Sequence, residues 1–266
     1  MTPLFTSPAA RTAIDASVVS WATVRATPEQ IAGWRKTPSP QPTGPLSPSQ
    51  LKHSEEQSIA ALWAVCEAVA GTEGGLAGFA GWGVVAAPRY CGRAANAVTL
   101  DRYQKEGAWG ISPQMIPQNS LHAVSGTISQ LLKLHGPNLG VGNGVTTAAD
   151  GWLVAATLLS EAAVPGVWLV LTGHVEEFLP TAENFPGRHP LLEAVALALS
   201  PSKSSGSGMH VRIVPEGGQG GGNDPFLCAM PEFNLGLLVD ELRRNDAPPG
   251  GMWRLPGVGW VEVEMR

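Results

Sequence analysis

Charge is scarce in this 266-residue chain: Asp, Glu, Lys and Arg together make up 15% of it, against about a quarter in an ordinary soluble domain. Acids outnumber bases 22 to 17. The Lys and Arg are dispersed, so the basic stripe of a nucleic-acid groove is absent and no nucleic-acid partner is expected. Cysteine is scarcer still. Cys66, Cys91 and Cys228 are odd in number and far apart, which excludes a disulfide framework and a C-x-x-C metal knuckle. No metal and no cofactor are expected, and reduced thiols fit a cytoplasmic protein. The opening "MTPLFTSPAARTAIDASVV" lacks a basic start followed by an apolar run, so no signal peptide is expected. No apolar run approaches the roughly 20 residues of a membrane span. The glycine-rich "PEGGQGGGNDP" (215–225) has neither the lysine nor the hydroxyl residue of a phosphate loop. No internal repeat is present.

What the chain does have is glycine, 32 residues, and proline, 23 residues, interleaved with apolar segments of two periodicities. This pattern predicts an α/β protein with tight packing and ordered loops. The β-branched stretch 13–24 predicts a first strand, and the proline-rich 37–50 a surface loop. Ser54 followed by Gln57 has the form of a capping box, opening a helix that carries Ile59, Leu62, Trp63, Cys66 and Val69 on its buried face. A buried strand is expected within 79–88, a polar helix after it, and an apolar helix through Leu121, Val124, Ile128, Leu131 and Leu132. Ser125 and Gly126 interrupt that last face with small side chains, which predicts a close crossing there. His122 lies on the same helix, where a structural histidine is the simplest reading.

"GPNLGVGNGVTTAADGW" (136–152) predicts a short strand, a glycine bend and a helix start, followed by the apolar run "VWLVLTGHVEE" (167–177). Strand, helix and strand make a βαβ unit, and ligands in such sheets gather at the carboxyl ends of the strands. His174, Glu176 and Glu177 leave that end but are too few for a metal site. Past residue 200 the chain changes character: flexible loops flank a strand "MHVRIVP", then come an amphipathic helix within 231–245 and two closing strands within 252–266. The expected division is 1–200 as one domain and 201–266 as a loop-rich extension packed on it.

A helix N-terminus offers unpaired N–H groups and a positive dipole end, which suit a nucleophile or an oxyanion. The bend at 140–147 has the geometry of a nucleophile elbow without a serine or cysteine. On "SPQMIPQNSLHAVSGTISQLLKLHGPNLGVGNGVTTAADGWLVAATLLSEAAVPGVWLVLTGHVEE" the chain resembles the β-ketoacyl synthases, condensing enzymes of thiolase fold. The resemblance is fullest over 79–178. It implies an α/β thiolase-like fold of the N-terminal half: a mixed, mostly parallel sheet with helices on both faces, the C-terminal half truncated or replaced. Gly136, Pro137 and Leu139 match the "GP-x-L" turn, and Val145 falls where the family has its catalytic cysteine.

That resemblance implies a subunit without condensing activity of its own. Valine cannot attack a thioester, and Thr146 and Thr147 have no general base readable nearby. The family's partner histidines belong to a C-terminal half that is not recognisable here, and His210 has none of their flanking residues. Asn143, Gly144, Val145, Thr146 and Thr147 are then the channel and elbow residues; Met115, Ile116, His122, Ser125 and Gly126 are the interface candidates. The implied partners are an active ketosynthase, in the chain-length-factor manner, or a second copy, with acyl carrier protein as a further candidate. Two alternatives stay open. One is an acyltransferase or thioester hydrolase using Cys91, whose thiol pKa Arg89 and Arg93 are placed to lower, or the pair His174 and Glu176. The other is a homodimeric acyl-binding scaffold.

Overall fold

A computed structural model describes residues 13–36, 51–72, 75–113, 115–142, 144–161, 164–175, 191–201, 208–215, 229–244 and 248–266. The elements in chain order are β1 (Ile14–Ala26), α1 (Pro28–Lys36), α2 (Glu56–Ala70), β2 (Gly83–Pro88), α3 (Arg93–Glu106), α4 (Met115–Gln118), α5 (Leu121–Leu132), β3 (Asn138–Gly140), α6 (Thr147–Ser160), β4 (Val167–His174), β5 (Leu192–Pro201), β6 (Met209–Pro215), α7 (Leu235–Arg243), β7 (Gly251–Leu255) and β8 (Gly259–Met265). Single 3₁₀ turns occupy Gly75–Phe79 and Gly107–Gly110.

All eight strands join one sheet in the order β3-β2-β4-β5-β1-β6-β8-β7. β2 pairs in parallel with β3 and β4, so β3, α6 and β4 form the expected βαβ crossover around β2. The expectation of a mostly parallel sheet needs correction. β1, β2, β3 and β4 run the same way, but β5 inserts antiparallel between β4 and β1. The β1–β6, β6–β8 and β7–β8 pairings are antiparallel as well. The physical cause lies in β5 itself. Its "LEAVALALSP" is rich in Leu and Ala, good helix formers, and was not anticipated as a strand. Two long strand partners override that propensity.

Side chains alternate across a strand, and here the alternation feeds two cores. Val84, Ala86, Trp168, Val170, Ala194 and Ala196 face α2 and α5 on one side. Val85, Ala87, Leu169, Leu171, Val195 and Leu197 face α6 and α7 on the other. Helices therefore cover both faces, as expected, and β2 and β4 read as continuous apolar runs because neither face meets water. α2 buries twelve of its fifteen residues, which explains why it is apolar nearly all round.

Helix capping differs from expectation. α2 starts at Glu56, and Glu55 rather than Ser54 is its cap, the carboxylate accepting from the Gln57 N–H at 2.6 Å. Ser54 is buried one position earlier. The reciprocal box sits at α1 instead: Gln30 N–H donates to the Thr27 hydroxyl, and Thr27 N–H to the Gln30 side chain.

The predicted close crossing also exists, one turn earlier than Ser125 and Gly126. A Cβ at Gly126 would meet only the His122 ring at 3.5 Å, ordinary contact. A Cβ at Gly140 would run into the Leu121 carbonyl and the His122 nitrogen. Strand β3 therefore lies backbone to backbone against the start of α5, and Gly140 permits it. Replacing Gly140 by Val should cost about 3 kcal/mol or more through overpacking against backbone that cannot yield. Gly144→Ala, with open space around its Cβ, should stay within about 0.5 kcal/mol. Urea titration of both variants checks the contrast.

Candidate functional site

β2, β3 and β4 point the same way, so three segments meet at their common carboxyl end. These are the loop after β2 with Cys91, the bend between β3 and α6, and His174 at the end of β4. The bend is built by its own backbone. Val141 N–H extends the β3 pairing to the Ala86 carbonyl at 2.9 Å. Gly142 then turns the chain at φ +84°, where a Cβ would strike Thr147. Thr147 is buried, and its hydroxyl both accepts from the Gly144 N–H and donates to the Gly144 carbonyl, each at 2.7 Å. That hydroxyl is a structural clamp. α6 then packs down so closely that a Cβ at Gly151 would touch Ala87.

Val145 sits on the outside of this bend, 72% exposed, immediately before the first turn of α6. Thr146 is exposed beside it and donates to the Asp150 carboxylate at 3.3 Å, so a carboxylate lies one turn away that the sequence did not bring forward. Thr146 donates directly to this half-buried carboxylate, with no imidazole between them to take the proton, so the pair is a hydrogen bond at a helix start and not an activated nucleophile. Asn143, expected as a channel residue, lies outside the described residues.

Of the interface candidates, His122 lies against the strand that leads into the bend, its backbone nitrogen close to where a Cβ on Gly140 would stand. Ile116 is 77% exposed, Leu139 on the edge strand 37%, and Trp109, just ahead of them in the chain, 100%. Met115 is half-buried, its sulfur receiving the Thr99 hydroxyl. His122 is exposed with its Nδ1 at 3.3 Å from the Ser125 hydroxyl, whereas Ser125 and, less completely, Gly126 are covered. The helix α3 has no fully buried side chain among those described, so its exposed Val98, Leu100 and Tyr103 add to the apolar surface of this region.

The alternative site loses its chemistry on inspection. The Cys91 thiol is buried and directed to the Ser120 carbonyl at 3.7 Å. Burial, reinforced by the nearby Glu55 carboxylate, pushes its pKa up to about 12. Arg89 and Arg93 were expected to lower it. They are turned to Tyr90 instead, with the Arg93 guanidinium 3.6 Å above the ring centre and that of Arg89 at 5.5 Å. Burial likewise lowers His174 to about 4, which leaves a weak base. Glu176 and Glu177 lie outside the described residues. Among the described residues no group of three or more His, Cys, Asp or Glu is placed to hold a metal ion. No helix among them is long and apolar enough to cross a membrane.

One polar network went unread in the sequence. The Gln57 amide donates to the Arg89 carbonyl at 3.0 Å and accepts from the Thr172 hydroxyl at 2.8 Å, tying the start of α2 to the ends of β2 and β4. Its only sequence signal is a Gln within the first turn of an otherwise apolar helix. Glu55 flanks the network, and burial raises its carboxyl to about 7 against the opposing Gln57 N–H bond.

No protein-family model matches the sequence, and no curated protein matches it. Solved structures do. Over 95% of this chain and 100% of the compared one, it superimposes on one chain of the complex between a ketosynthase (ApeO) and its chain length factor (ApeC) from Xenorhabdus doucetiae, with a TM-score of 0.55 at 16% identity. The fold is ketosynthase-like, of thiolase type. A second match is a chain of the AntDE:AntF complex, a type II polyketide synthase acyl-carrier protein with its ketosynthase, at TM-score 0.52 and 13% identity. There 71% of this chain covers 63% of that one, so the chain spans less than two thirds of that neighbour. At such identities the likeness is one of fold.

The raised Glu55 carboxyl has a consequence for stability. A group that holds its proton more tightly when folded stabilises the protein below its unfolded pKa, and that stabilisation is lost as pH rises through the folded one. Stability should therefore fall between about pH 4.5 and 7, by up to about 3 kcal/mol from this group. Glu55→Gln should flatten that fall, and urea titrations of both proteins at pH 5 and pH 8 measure the difference.

Proposed function

We propose that this chain is a non-catalytic ketosynthase-like subunit that pairs with an active ketosynthase in the chain-length-factor manner, within fatty-acid or polyketide and polyene-type biosynthesis. The observation that carries the reading is Val145. A complete elbow, with its glycine turn, its threonine clamp and an open helix start, presents an exposed methyl-bearing side chain where the resemblance puts an attacking thiol. An apolar group there suits contact with an acyl chain or a partner surface, and it leaves no route to an acyl-enzyme.

Edge strand β3 and the exposed side chains of Trp109, Ile116 and Leu139 lie in the same stretch of chain as the elbow. Exposed apolar side chains in this number around one functional feature support an interaction surface. In this reading the ketosynthase partner covers that surface, Gly144, Val145 and Thr146 line the inner end of the acyl channel, and acyl carrier protein visits the pair. The ketosynthase and chain length factor of the X. doucetiae complex offer the model for such a pairing.

The test is coexpression with candidate ketosynthases of the source genome, followed by copurification and native mass spectrometry. A one-to-one complex is expected. A strictly monomeric chain refutes the reading, and a stable homodimer indifferent to the ketosynthase favours the acyl-binding scaffold. Ile116→Asp combined with Val145→Asp should abolish the complex while leaving the isolated chain as stable as before, since both side chains are exposed. Val145→Cys should restore no condensing activity to the isolated chain.

A further inference from the structure

Strand β1 is thirteen residues long, and its two sides are used unequally. β5 pairs with it from Ala16 to Ala26, while β6 pairs on the other side only from Ile14 to Ser17. Among the described residues no strand pairs with the upper part of β1 on that side. A cavity of about 450 Å³ lies there, lined by Trp21, Thr23, Val24 and Arg25 of β1 itself. Thr23, Val24 and Arg25 are consecutive, so their side chains point to opposite faces of the sheet. A cavity touching all three runs along the edge of the strand rather than over either face.

Its remaining walls come from both layers. Trp34 of α1 and Glu67 of α2 close it from one face, and Leu242 and Arg243 of α7 from the other. The two walls sense each other across the opening: partial loss of water, on a side chain whose residue is still exposed, raises the Glu67 carboxyl, and the charge of Arg243 opposes the rise. Trp34 is held by stacking on Trp63, ring centres 4.8 Å apart. Arg25 is fixed by Glu193 at 2.5 Å and Asp240 at 2.7 Å, which ties β1 to β5 and α7. The walls are thus rigid where they meet the strand, a preorganisation that lowers the cost of binding.

From this geometry we infer that the slot beside Val18–Ala26 takes an extended peptide segment of a partner protein, added to β1 as a further strand. Backbone groups along an open edge are ready donors and acceptors, and side-chain pockets on alternating sides supply selectivity. The charges of the walls set the sequence preference. A residue turned to the Glu67 and Trp34 wall is best basic, able to pair with the carboxylate and to lie against an indole. Its neighbour, turned the opposite way, meets Arg243 and is best acidic. The preferred occupant carries adjacent basic and acidic residues within a β-prone stretch. Across the sheet, β5, β4 and β2 separate this slot from β3, so its occupancy and pairing through the elbow succeed or fail separately.

The probe is an N-acetylated, C-amidated hexapeptide, Thr-Val-Lys-Glu-Val-Thr, titrated against the full chain. Expected are a saturable change in tryptophan fluorescence and slower hydrogen exchange at the amides of residues 19–25. Two peptides N-methylated at alternate residues, one in each register, separate strand pairing from side-chain capture. One of the two should bind about tenfold more weakly or worse, having lost two or three backbone hydrogen bonds. Glu67→Gln and Arg243→Gln, both at exposed positions, should each weaken the parent peptide about three- to fivefold. The inference is overturned if both methylated peptides bind as well as the parent, or if lysine amide alone gives the same saturation, which would mark a small-cation pocket. Absence of protection at residues 19–25 at millimolar peptide overturns it too.

Discussion

Everything in this structure depends on β4 being sealed on both faces. Its side chains alternate between two cores that never merge, and each core is completed by helices of a different pair. Trp168 and Val170 go one way, Leu169 and Leu171 the other. Fully burying such side chains contributes roughly 1.5–3 kcal/mol apiece, so the strand itself is among the largest single sources of stability. It also fixes geometry. Because β2 and β3 are laid parallel to β4, three loops emerge together at one end. That end is where the elbow, the Cys91 loop and His174 gather, and no other arrangement of the same strands would bring them there.

At that end, burial rather than charge decides the chemistry. The groups that looked reactive, Cys91 and His174, sit in surroundings that suppress their charged forms. Glu55 is treated in the same way. A carboxyl, a thiol and an imidazole have all been moved toward neutrality by loss of water, and the two arginines available to oppose this are stacked on Tyr90. Such a region is built for packing. The side chains presented outward just before α6 include a valine, Val145, which carries no charge either.

The sequence made the βαβ unit and the elbow readable because their signals are local. An unbroken apolar run marks β4, glycines mark a bend, and an apolar helix follows. What it hid was non-local. β5 is composed like a helix and becomes a strand only because β4 and β1 hold it from both sides. The parallel count failed for the same reason, since direction in a sheet is a property of pairs. The close crossing was read from Ser125 and Gly126, whereas the glycine that permits it is Gly140 on the other element. Gln57 was read as a cap and turns out to be a tie between α2 and two strands. The bend at 140–147 was legible in outline. The buried pKa shifts were not, because no residue announces in sequence how much water its neighbours will exclude.

The pairing of β1 has a temporal side. This strand precedes the other described elements in the chain, yet both of its sheet neighbours come from beyond residue 191, so its partners are separated from it by more than half of the given sequence. Until they arrive, the backbone of β1 has no strand to pair with, although α2 can already cover Val24. Contacts of such long range slow folding and prolong the exposure of sticky edges. Native β1 is thus one of the last elements that can be secured during synthesis, and nascent chains of this protein should lean on whatever shields an unpaired strand until β5 and β6 close around it.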